Sequence, residues 1–78
     1  MKLGIYKHYK GNLYRVMGVA RHTETGEEVV MYQSLYGDYG LWVRPLTMFQ
    51  ETVEFNGKIT PRFAFLQECF TSAPKTRD

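Results

Sequence analysis

Cysteine is almost absent from this chain: Cys69 stands alone. That excludes an internal disulfide, a paired-thiol redox motif and a cysteine-built zinc site, and it fits a reducing cytoplasm. Charge of either sign is also scarce in excess. Lysine and arginine number 10 against 8 acidic residues, a formal net charge of +2, too little for bulk electrostatics to demand a polyanionic partner, so a nucleic-acid role has to rest on local clustering. Long apolar runs are missing too. Nothing approaches the roughly 20 residues needed to span a bilayer, and the opening MKLGIYKHYKG lacks the apolar core of a signal peptide. Neither secretion nor a membrane partner is expected. With 78 residues the chain is a single small domain, too short to enclose a large sequestered active-site chamber.

What is present is aromatic and strand-forming. The composition is 44% hydrophobic and 15% aromatic, enough for a compact core in which ring area substitutes for size. Gly4 to Tyr9, Leu13 to His22, Val29 to Leu35, Leu41 to Leu46 and Thr52 to Phe55 are rich in β-branched and aromatic residues and are separated by turn clusters. Asn56-Gly57 is the strongest hairpin signal, since both residues tolerate the positive φ of a type I′ turn. In the second strand Tyr14, Val16, Gly18 and Ala20 share one face by two-residue periodicity. Gly18 and Ala20 mark the bend that closure of a small sheet requires.

Pro45 removes a ladder donor, which places it at an edge or at the end of its strand, and Thr47-Met48-Phe49 after it predicts one helical turn plugging the end of the fold. Ala64-Phe65-Leu66 supplies a last strand or docking segment. These features add up to an all-β fold, a small SH3-like barrel of about five to six antiparallel strands with one short helical turn; an OB-fold is the competing architecture. The domain covers residues 1–70, and the polar stretch 71–78 predicts a flexible tail. Unpaired strand edges would allow a weak homodimer; otherwise the chain is a monomer.

Several separated motifs are similar, in the same order, to a bacterial family known as domain of unknown function 1653. They are Tyr6-Lys7-His8-Tyr9-Lys10-Gly11, Tyr14-Arg15-Val16 through Ala20-Arg21-His22-Thr23-Glu24-Thr25, Tyr36-Gly37, Trp42-Val43-Arg44-Pro45-Leu46 with Met48-Phe49, and Pro61-Arg62-Phe63. The resemblance runs over nearly all of Ile5 to Phe63. It implies a stand-alone bacterial cytoplasmic protein and carries no activity, cofactor or site with it.

The residues themselves narrow the chemistry. His8 and His22 with Glu68 or Cys69 lack the ligand spacing of a metal motif, so neither a metal nor another cofactor is expected. No hydroxyl or thiol sits in a nucleophile elbow, and Glu24, Glu27 and Glu28 share one polar turn where solvated charge is the default. His22 is expected to shape its turn. A binding surface is the stronger reading: Tyr36, Tyr39 and Trp42 as an aromatic platform, with Arg44 and Arg62 as charged anchors, capturing a peptide or protein partner. The bland reading beside it puts Tyr14 and Tyr32 in the core and has one arginine stack on Trp42 or pair with Glu51. Two alternatives stay open. The same rings could stack on single-stranded bases while Lys7, Lys10, Arg15, Arg21 and Arg44 track phosphates, or His8 or His22 could act as base in an enzyme on a small anionic metabolite.

Overall fold

The computed structural model describes residues 1–68, so Cys69, Phe70 and the tail expected over 71–78 lie outside the described residues. In order these residues form β1 (Gly4–His8), β2 (Leu13–Arg21), β3 (Glu28–Ser34), β4 (Leu41–Pro45), α1 (Leu46–Phe49), β5 (Thr52–Phe55), β6 (Lys58–Pro61) and β7 (Phe63–Glu68). The fold is all-β, and the first five strands lie where periodicity and turn residues place them. Asn56 and Gly57 have φ of 54° and 77°, the paired positive values of the expected hairpin turn.

The strand count needs correcting, from five or six to seven. The stretch after Asn56-Gly57 is two strands, not one, because Arg62 hands the chain from one sheet to the other. Its N–H donates to the Glu51 carbonyl at 2.9 Å, while its own carbonyl accepts the Tyr9 N–H at 3.0 Å. One antiparallel sheet runs β4-β3-β2-β1-β7 and a second is the β5-β6 hairpin. No ladder joins β4 to β7 among the described residues, so hydrogen bonding does not close the expected barrel and both strands remain edges.

The face assignment of β2 is corrected as well. Register slips between Val16 and Gly18, leaving Met17 as an extra residue: Val16 opposes Tyr32, Gly18 opposes Met31 and Val19 opposes Val30. A bulge inverts the alternation beyond it, so Gly18 and Ala20 do not share the face of Tyr14 and Val16. A Cβ on Gly18 would lie 3.3 Å from the Met31 Cε, a crowding that the flexible end of the methionine can relieve.

Cross-strand register defines the concave face. Tyr32 opposes both Val16 and Trp42, Val30 opposes Arg44, Tyr14 opposes Ser34 and Tyr6, and Tyr6 and His8 oppose Phe65 and Phe63. Tyr6, Val16, Val30, Tyr32 and Phe63 are buried there, and α1 drops Phe49 among them. The Phe49 ring stacks on Phe63 at 4.1 Å and 2°, and it meets the edges of Tyr6 and Tyr32 at 5.4 and 5.5 Å. The helical turn expected at Thr47-Met48-Phe49 is present as α1, but it packs Phe49 into the ring cluster on the sheet face, whereas the expected role was to plug a barrel end.

Candidate functional site

The candidate surface begins with the phase of β4. Trp42 and Arg44 are two residues apart, so both point to the concave face, opposite Tyr32 and Val30 of β3. Beyond Tyr32 on that face comes Ser34, and Tyr14 of β2 lies across from it. The loop between β3 and β4 returns Tyr36 to the same place: the Tyr36 and Tyr14 hydroxyls are 2.8 Å apart and their rings meet edge to face at 5.7 Å. Tyr14, Tyr32, Ser34, Tyr36, Trp42 and Arg44 line an open cavity of about 200 Å³. A larger depression of about 390 Å³ lies by Phe65 and Phe49, but its walls are mainly apolar. Convergent polar groups mark the smaller one as the candidate site.

Its side chains are held by one another. The Trp42 indole, 55% exposed, donates its Nε1–H to Ser34 Oγ at 2.9 Å. The Arg44 Nε–H donates to the Tyr32 hydroxyl at 3.3 Å, and its guanidinium lies 5.8 Å from the Phe63 ring center. Burial pushes the Tyr14 hydroxyl up to about 12, helped by the bond to Tyr36 and the nearness of Tyr36 and Tyr32, with Asn12 opposing. The phenol therefore keeps its proton throughout the neutral range.

His8 does not line the cavity; its ring lies 5.0 Å from Phe63 and 6.3 Å from Tyr14. Its pKa is lowered, first by burial and then by the charges of Arg62, Lys10 and Arg44, which favors the neutral imidazole. Both imidazoles act as turn braces: His8 Nδ1 accepts the Lys10 N–H at 3.1 Å, and His22 Nδ1 accepts those of Glu24 and Thr25 at 3.1 and 3.4 Å.

Of the five residues singled out by sequence, Tyr36, Trp42 and Arg44 come together. Tyr39 and Arg62 do not line the cavity. Tyr39 is 55% exposed at a φ of 57°, and its carbonyl accepts from Gln33 Nε2 at 3.0 Å. Arg62 pairs with Glu51 at 3.1 Å, one of the two structural roles weighed for the arginines. Tyr32 is buried, whereas Tyr14 is half-buried and reaches the cavity with its hydroxyl. Ser34 was missed. Its signal lay in β3, where a serine follows Val30 and Tyr32 in the apolar phase, showing that the inward face turns polar at that end.

A family model described as "Protein of unknown function (DUF1653)" matches residues 4–65. A crystal structure of a DUF1653 protein from Bordetella bronchiseptica is similar, with 39% identity and a TM-score of 0.82, over 90% of this chain and 92% of that one. No curated protein matches the chain. Among the described residues, no helix is long and apolar enough to cross a membrane.

Proposed function

The chain belongs to the DUF1653 family, and since membership assigns no activity, we propose from the site that it is a non-catalytic cytoplasmic binding module whose Tyr36, Trp42 and Arg44 capture a peptide or protein partner. One observation carries this reading. The single tryptophan is more than half exposed, yet its indole is fixed to Ser34. A large apolar surface held still in water is the usual energetic anchor of an interface, because little side-chain freedom remains to be lost on binding. Tyr39 and Arg62 widen the expected footprint around that anchor. The SH3-like roll expected from the turns belongs to the same proposal, supported by the bulge after Val16 and by α1 seated in the concavity.

Panning a displayed library of random peptides on immobilized protein tests the reading. Wild type is expected to select a converging motif and Trp42→Ala to select none, while the variant keeps the far-ultraviolet dichroism and unfolding midpoint of the parent. If Trp42→Ala still selects the wild-type motif, or no motif emerges at all, the module reading falls. If the variant unfolds, the indole is a structural prop and the platform loses its center.

A further inference from the structure

The hydrogen bonds lining the cavity all consume the same resource. Ser34 Oγ accepts from Trp42, the Tyr32 oxygen accepts from Arg44, and one of the two phenols Tyr14 and Tyr36 accepts from the other. A hydroxyl has one proton and two lone pairs. Each of these contacts therefore occupies oxygen lone pairs and leaves protons to give: that of Ser34, that of Tyr32 and one from the phenol pair. Arg44 spends only its Nε–H, so both Nη groups keep theirs. No acidic side chain lines the cavity. Asp38 of the preceding loop accepts the Gly40 N–H on Oδ1 at 3.2 Å and is not among the lining residues.

The charge balance is as specific. Among the described residues the one ion pair is Arg62–Glu51, which leaves the Arg44 guanidinium facing neutral groups alone. Arg44 is the one charged side chain in the lining, and a single cation among uncharged donors matches a monoanion better than a phosphate monoester, which carries about −1.5 to −2 at neutral pH. A carboxylate also suits the planar end of a guanidinium. Deepening the module reading above, on which it rests, we propose that this cavity binds a carboxylate of the partner, with Arg44 Nη atoms as its counter-ion, the Tyr32 and Ser34 hydroxyls as further donors, and the Trp42 face covering the apolar stem that carries the acid.

The only tryptophan gives the test its own reporter, a single indole N–H resonance. The isotope-labeled protein is titrated at constant ionic strength with N-acetylglycine, with N-acetylglutamic acid α-amide, with neutral N-acetylglycinamide and with inorganic phosphate. A saturable indole shift with at least one acid, absent with N-acetylglycinamide and weakened tenfold or more by Arg44→Gln, is the expected result. Which acid saturates first tells a chain-terminal from a side-chain carboxylate. No saturable shift with either acid, an equal shift with the neutral amide, an unaffected Arg44→Gln, or phosphate binding tenfold tighter than both acids overturns the proposal. Arg44→Lys, which keeps the charge but loses the planar fork, guards against misfolding of the first variant and is expected to bind more weakly than wild type and better than Arg44→Gln. The two readings fail separately. A converging peptide motif with no acid shift leaves the module standing without its carboxylate, and an acid shift with no peptide motif leaves an anion site without a macromolecular partner.

Discussion

His8 shows how one side chain can carry two burdens at once. It braces the turn to Lys10 through Nδ1, and it sits among three cations in a partly buried position that disfavors its own charge. Its folded-state pKa is lowered below the ordinary value of 6.5, so the native state binds fewer protons than the unfolded chain in that range. The stabilizing contribution is present above that ordinary value and is lost as pH falls through the lowered one. Urea midpoints are accordingly expected to drop between pH 7.5 and pH 5, and His8→Gln should flatten the drop. A wild-type midpoint that stays level over this window, or a variant with the same slope, would show that neither burial nor the neighboring cations lower the pKa of this imidazole. Arg62 belongs to the same neighborhood. Its side-chain bond to Glu51 ties the open end of the β5-β6 hairpin, one step beyond the Thr52–Pro61 pair, but the Glu51 side chain is 49% exposed, and pairs in such a setting contribute about 1 kcal/mol or less.

Among the elements, α1 does more than its four residues suggest. A helix that short has almost no intrinsic stability. It persists because Phe49 is locked between Phe63, Tyr6 and Tyr32, with 1% of its surface exposed. Phe49→Ala should cost about 3–5 kcal/mol, comparable to the whole stability of a small domain at roughly 0.05–0.15 kcal/mol per residue. The variant is expected to be largely unfolded at 37 °C by near-ultraviolet dichroism. Met48→Ala, an exposed position in the same turn, is expected within about 0.5 kcal/mol of wild type, and equal effects at the two sites would refute this account of the core. Much of this was legible in the chain. Alternating β-branched and aromatic residues, the Asn56-Gly57 turn and Pro45 followed by Leu46-Thr47-Met48-Phe49 each carry local signals of their conformation. What stayed hidden was non-local. The Met17 bulge inverts a face that periodicity alone continues, and Arg62 switches sheets through backbone bonds to Glu51 and Tyr9 that no local pattern announces. The site was half legible for the same reason. Trp42 and Arg44 advertise themselves by residue type, while Ser34 matters only because β4 lies beside β3.

For the whole molecule, the distribution of cations decides how far a nucleic-acid reading reaches. Lys7 opposes Leu13 and Arg15 opposes Ile5, in the phase opposite to Tyr6 and Tyr14, so these two lie on the convex face. Arg44 lies on the concave one, and Arg21 donates to the Gly26 carbonyl at 3.1 Å near the far end of β2. Lys10 and Arg44 both act on His8, but with Lys7 and Arg15 on the other face and Arg21 at the far end, the five do not form the one continuous track that a phosphate backbone needs. Binding of single-stranded oligonucleotides is expected to be weak, with a log–log salt slope no steeper than about −0.7, the value for one neutralized phosphate. A slope of about −2 or steeper that Lys7→Glu reduces would replace the proposed peptide module by a nucleic-acid binder.

The placement of β4 has a further consequence. Ser34 N–H donates to the Gly40 carbonyl at 3.0 Å, and counting by twos along an antiparallel ladder from that bond aims the amides and carbonyls of Leu41 and Val43 away from β3. Pro45 falls in that same outward set, so its missing N–H removes no bond to β3. The indole and guanidinium therefore ride on a ribbon stitched along one side only, the kind of segment that breathes before the rest of a domain lets go. A partner settling against them would also have to fasten that ribbon, so part of its binding energy would go into quieting an edge, and the grip would loosen on warming sooner than the core does.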